Sequence, residues 1–483
     1  MTRTSVPRLP LVLVLVVAAI VAIVIGNADP EPAPAAAKVN QAATLPTAGT
    51  RSGAWFCPGF PAAVPLEEQT LTVSNVGTDP GDAIVTVFPD DGSPAVAQTI
   101  ATPAGSVSRL PRAQLGPAGG LSVEAFSRDV AVEFGAESPS DLALGPCASA
   151  ANADWYFAAG TTGNYEANTT GRPVEEWLIL FNPFGTDARV DVTLRTNAAV
   201  PEQLAPIDVP RRMRVLVPIH EQTVRTAQVA VAVRATVGRV VAEQSMIFGP
   251  SSGYTGLTSS LGAVAPAPVW TFADGAATAG TRTVIAVVNP GVVDTEVDVI
   301  VTAAATPLTV PLKRDAVTWI QIGGCGDPPV EGCVAVPDDA SYAASIVTDA
   351  DTPVVAEQFA FYSSDRVGEG VATLMGGPIA VRQALLAHAG VAQGRTAVLA
   401  VANPGAVAAT VSVGIVRAGA TERPPDMQDV AVGPGQRVEF SLTNALGPNE
   451  GAVVVDATEP VVVNRSLYSA GDISRSEAIV GGP

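Results

Sequence analysis

LILFNPFGTDARVDVTL, residues 178–194, decides the fold. Its first half is an apolar run that ends at Asn182-Pro183, and its second half alternates apolar and polar residues with period two. Pro and Gly between the halves mark a turn, and strict alternation marks a strand with one buried face. The same grammar recurs in IAVVNPGVVDTEVDVIV (285–301), in LAVANPGAVAATVSVGI (399–415) and, without the proline, in LTVSNVG (71–77). The strand-ending residues Asn75, Asn182, Asn289 and Asn403 are 107, 107 and 114 residues apart. Such an Asn can hydrogen-bond its own following backbone and set the turn, while Pro holds the next φ.

Two further marks keep the period. WYFAAG (155–160), WTFADG (270–275) and the degenerate LLAHAG (385–390) open a unit, and Trp55 in AWFCPG takes that place first. DVAVEF, RVVAEQ, PVVAEQ and PVVVNR close it, carrying Glu133, Glu243, Glu357 and Asn464. A fixed period is the signature of repeated structure. The expected organisation is all-β: four tandem β-sandwich-like, immunoglobulin-like repeats at 55–150, 151–265, 266–380 and 381–483. About seven strands are expected in each. Propeller blades are about 40–50 residues, less than half this period. No helical stripe stands out after residue 54.

Before the repeats, Arg3 and Arg8 precede an uncharged apolar run, Leu9–Gly26. Charge followed by a long apolar run reads as an uncleaved signal anchor, residues 1–26, which would place the bulk of the chain outside the cell membrane as a single-pass protein. Cleavage would make it secreted. Residues 27–54 are rich in Ala and Pro and read as a tether. The formal net charge of −19 argues against a nucleic-acid partner.

The four cysteines are Cys57, Cys147, Cys325 and Cys333. Outside the cell, disulfides are the default. Cys325 and Cys333 flank a short loop and should pair locally, leaving Cys57 with Cys147. Metal binding is a poor alternative, because there is no C-x-x-C and the two histidines, His220 and His388, lack ligand spacing.

The opening Trp phrase, the Asn-Pro turn and the Val-Ala-Glu ending resemble a family of exported or anchored actinobacterial repeat proteins, catalogued as a domain of unknown function. The resemblance spans about residues 52–483. WYFAAG and WTFADG depart from the family's Trp-Tyr-Phe-Ala-Glu-Gly at Ala159 and Asp274. It implies an exported all-β envelope protein and no established chemistry, so no catalytic residue and no cofactor is carried over.

The recurring glutamate could be one half of a catalytic pair or a structural mark. Asn464 replaces it in the last copy, and an amide cannot act as a general acid or base. A structural role is therefore expected for Glu133, Glu243, Glu357 and Asn464, as for the four turn asparagines and for Trp55, Trp155 and Trp270 in the cores. GPSSG (249–253) matches a nucleophile-elbow pattern around Ser251 but lacks the following helix. The acidic pairs Asp90/Asp91, Asp338/Asp339 and Asp349/Asp351 match no calcium loop and read as solvated turns. His388, in the degenerate Trp phrase, is expected in a strand. Trp177, after Glu175 and Glu176, is the one tryptophan expected near a surface that could contact a glycan. The reading is a non-enzymatic structural or interaction protein of the cell envelope, partnered by the membrane through its first helix and by an envelope protein or wall polymer. A carbohydrate-binding array is the alternative, and a hydrolase a distant third.

Overall fold

The computed structural model describes residues 41–46 and 52–481, except 128, 164–173, 197–199, 224–225, 327–331, 365–367, 393 and 448. The apolar run at 9–26 lies outside the described residues, and among those no helix is long and apolar enough to cross a membrane.

Alternation becomes strand where it was expected. Residues 188–194 fall in the strand Ala188–Arg195, which buries Val190, Val192 and Leu194 and turns Arg189 and Asp191 outward. The first segment has eight strands: β1 (Gly53–Cys57), β2 (Gln69–Asn75), β3 (Gly81–Pro89), β4 (Val96–Thr102), β5 (Ser106–Pro111), β6 (Gly119–Ala125), β7 (Val130–Glu137) and β8 (Leu142–Pro146). They form two antiparallel sheets, ordered β1-β6-β3-β4 and β5-β2-β7-β8.

Later sheets have corresponding orders. Met213–Pro218, Val174–Asn182, Val241–Phe248 and Gly256–Leu261 follow the order of β5-β2-β7-β8. So do Ala316–Ile322, Thr281–Asn289, Val355–Ser364 and Gly368–Met375. Near the C-terminus the 17-residue strand Ala452–Tyr468 serves two sheets, its first half pairing with Val381–Leu386 and Ala409–Arg417, its second with Thr396–Ala402 and Ile473–Glu477.

Two expectations need correction. The strand order is not that of an immunoglobulin domain, where the first two strands are neighbours; here β1 and β2 lie in opposite sheets. Alternation specifies which face is buried, not which strand is the neighbour. The first segment also has eight strands, not about seven. The unforeseen one is the last, β8 and its counterparts Gly256–Leu261, Gly368–Met375 and Ile473–Glu477, of which Gly256–Leu261 and Ile473–Glu477 are rich in Ser.

Those four strands hold the molecule together. Each packs against the next, and Ile473–Glu477 packs back on β8, so they form a closed cycle around one axis. Residues 40–483 are accordingly one compact unit. At its seam Thr44 bridges Val480 in parallel, Leu45 N donates to Val480 O (2.8 Å), and Ser149 N donates to Ala42 O (3.0 Å).

Trp55, Trp155 and Trp270 are fully buried. Trp155 Nε1 donates to Val240 O (2.8 Å) and Trp270 Nε1 to Val354 O (2.7 Å). Cys57–Cys147 ties β1 to the residue after β8, and Cys325–Cys333 closes the short loop.

Candidate functional site: the joints between segments

The four turn asparagines are buried and work alike. The Oδ1 of Asn75, Asn182, Asn289 and Asn403 accepts from the backbone N–H two residues on, at Gly77, Phe184, Gly291 and Gly405 (2.9–3.1 Å). Each Nδ2 donates to the carbonyl four residues on, at Asp79, Thr186, Val293 and Val407 (2.8–2.9 Å). Asn75, Asn182 and Asn403 also reach a carbonyl across the sandwich, at Thr102, Val209 and Val432. A side-chain amide is the one short group that accepts and donates in this way, so these residues hold turns.

The strand-centre residues meet the Trp phrases, but across segments. Glu357 Oε2 accepts from Ala158 N (3.0 Å) and Ala159 N (2.9 Å) in WYFAAG. Asn464 Oδ1 accepts from Ala273 N (2.7 Å) in WTFADG. Glu243 accepts from Gly59 N in AWFCPG. Glu133 Oε1 accepts from Ala387 N (3.2 Å) in LLAHAG, which closes the cycle from the last segment back to the first. A carbonyl oxygen does this as well as a carboxylate does, which accounts for Asn464.

Cations reinforce three joints. Arg214 is buried, grips both oxygens of Asp90 (2.8 and 2.9 Å), and donates to Pro58 O and Phe60 O. Asp90 is therefore part of a joint and not a solvated turn. Arg437 donates to Ala273 O (2.9 Å) and pairs with Asp274 (3.1 Å). Burial pushes the Asp274 carboxyl up, but Arg475 and Arg437 outweigh it and hold it below its ordinary value. At the closing joint Arg465 pairs with Glu133 at 2.9 Å, both side chains fully buried, and also donates to Ser476 Oγ (2.8 Å) and to the His388 carbonyl.

At several other carboxyls burial outweighs the groups that pull the pKa down, Arg214 beside Glu243 and Arg465 beside Glu477 included. It pushes Glu357, Glu243 and Glu477 up to about 7 and Glu176 to about 8. Hydrogen bonds from Ala159, Ser260 and Ala158 pull Glu357 back only in part.

Three groups central to the joints escaped the sequence reading: Arg214, Arg465 and Asp472. The one available signal for Arg465 was a guanidinium inside an apolar strand, directly after Asn464.

The remaining candidates are dispersed. Ser251 is exposed in a 3-10 turn, Pro250–Ser252. His388 lies in the loop after Val381–Leu386, not in a strand, because Ala387–Gly390 turns to present its backbone to Glu133 and Arg465. Burial, with Arg109, Arg465 and Arg395 nearby, pushes its pKa down to about 3. His220 packs edge-on against Trp177 at 5.1 Å. Trp177 is partly exposed and bonds Glu175 through Nε1 (3.3 Å). Among the described residues no group of His, Cys, Asp and Glu could hold a metal ion. A surface groove of about 780 Å³ between the first two segments is lined by Phe88, Asp187, Arg211, Arg212 and Met213.

No protein-family model matches the chain, and no curated protein does. Among solved structures, Thermotoga maritima 1070 is similar over 23% of this chain and 93% of its own, at 14% identity and a TM-score of 0.20. The Anabaena sensory rhodopsin transducer is similar over 20% of this chain and 88% of its own, at 18% identity and a TM-score of 0.17.

Proposed function

We propose that the chain is a non-enzymatic structural or interaction protein of the bacterial cell envelope: four tandem β-sandwich units closed into a ring, anchored to the cell membrane by residues 1–26 and held outside it. The observation that carries this reading is the fate of the recurring carboxylates. Glu133, Glu357 and Asn464 are buried and spend their oxygens on the backbone, on Ser260 or on Arg465 of another segment, and Glu243 accepts from Gly59. A group engaged in this way is a fastener, not a general acid facing a substrate. The recurring sheet order supports four units, and the family resemblance supports an exported envelope protein. A rigid ring offers broad outer surfaces to a membrane-embedded partner.

Cross-linking in intact cells, followed by mass spectrometry of species joined to residues 52–483, tests the reading. A recurrent envelope protein is the expected product. Turnover of a wall substrate that Glu357→Gln abolishes, with the melting temperature unchanged, would overturn it.

The partial exposure of Trp177 favours a second reading, binding of wall polysaccharide. It requires co-sedimentation with cell-wall material that Trp177→Ala weakens.

A further inference from the structure

Asp472 occupies a position unlike any other among the described residues. Its side chain is fully buried where the four axial strands begin. Oδ2 accepts from Leu142 N (2.8 Å) and Leu257 N (2.8 Å), and Oδ1 from Val371 N (3.1 Å) and Ile473 N (2.8 Å). These donors lie in β8, Gly256–Leu261, Gly368–Met375 and Ile473–Glu477, one from each segment.

The residues preceding the four donors are Asp141, Gly256, Gly370 and Asp472. A Cβ on Gly256 would lie 2.2 Å from Asp472 Oδ1, and one on Gly370 would lie 2.7 Å from it. Asp141 turns away and accepts from Ser138 and Ser140 (both 2.9 Å). Four equivalent positions thus surround a space that holds one carboxylate. One position supplies it, two are reduced to glycine, and the fourth points elsewhere. Ser469 holds the supplying turn, accepting from Asp472 N (3.0 Å) and donating to Asp472 O (2.8 Å).

We propose that the four N–H groups form a carboxylate-binding cradle on the axis, and that Asp472 is its built-in ligand, whose presence locks the ring shut. Four buried donors converging on one point need an acceptor with several lone pairs, and a carboxylate supplies about four. Without it the donors would be orphaned and their dipoles would oppose one another. The inference does not depend on the envelope function.

The test is Asp472→Gly, which gives this position the residue its second and third counterparts already carry, studied in residues 41–483 by thermal melting with and without sodium formate. The variant is expected to melt several degrees below the parent. Formate should raise its melting temperature saturably, sodium chloride at equal ionic strength should not, and the parent should respond to neither. A variant that melts with the parent overturns the proposal, as does a destabilised variant on which formate acts no more than chloride. Should Asp472→Gly not fold in either salt, Asp472→Asn decides. Its single carbonyl oxygen leaves two donors facing an NH2 group, so it should melt below the parent, and equal melting overturns the proposal.

Discussion

Glu357 shows what a buried carboxylate in mid-strand can hold in place. One carboxylate oxygen takes two backbone N–H groups and the other takes the Ser260 hydroxyl at 2.8 Å. A glutamine could make the same contacts, its carbonyl taking both amides and its NH2 donating to Ser260. Burial raises the folded-state pKa of Glu357 to about 7, above its unfolded value. The folded chain then binds more protons than the unfolded chain across that interval, so this contribution is complete at pH 4 and is lost as pH rises through 7. Glu243, Glu477 and Glu176 act in the same sense. The melting temperature is therefore expected to fall between pH 5 and pH 8, and Glu357→Gln should flatten part of that slope. Glu357→Ala should cost about 1–3 kcal/mol at pH 5, where the parent side chain is mostly protonated, because it orphans two buried N–H groups. Asn182→Ala, which breaks one turn and leaves Thr186 O, Val209 O and Phe184 N without their partner, should cost a similar amount in urea unfolding, about 1–3 kcal/mol.

At the scale of the element, the strand Ala452–Tyr468 is the most heavily used. Its second half places Asn464 and Arg465 on opposite faces, so that Asn464 clasps the third segment and Arg465 the first. Adjacent residues of a strand point to opposite sides, and this lets one strand serve two joints. Arg465→Ala leaves Glu133 buried without its cation. The expected loss is about 3–5 kcal/mol, read as a lower denaturation midpoint, and Glu133→Gln in the same chain should recover part of it. The axial strands are a different kind of element. GLTSSL (256–261) and ISRSE (473–477) are the more polar two, and they are buried all the same, each packed against β8 and Gly368–Met375. Their serines and the Arg475 terminal nitrogens find partners there, as in Arg475 with Gln358 of Val355–Ser364 and Leu144 N with Ser474 Oγ.

For the whole molecule the decisive property is closure. A head-to-tail contact repeated along a chain gives either an open array or a ring, and the contact of Glu133 with Ala387 completes a ring. Residues 41–483 should accordingly have a radius of gyration near that of a compact body of this length, about 22 Å, in small-angle X-ray scattering. Four sandwiches strung as a rod would give a value far larger, with a long tail in the distance distribution.

The sequence by itself determined the all-β character, the repeated Asn turn, the buried tryptophans and the cysteine pairing. These are local or periodic properties: alternation, a turn amide next to Pro or Gly, a short loop between two cysteines. It also indicated that the recurring carboxylate need not be an acid, because Asn464 takes its place. Only the tertiary structure decided the strand order, the partner of each carboxylate, and the axis where Asp472 collects four amides. Those contacts join residues such as Glu133 and Arg465, 332 positions apart. Nothing in the alternation of either strand encodes such a pairing, because alternation sets which face of a strand is buried and not which distant residue meets it.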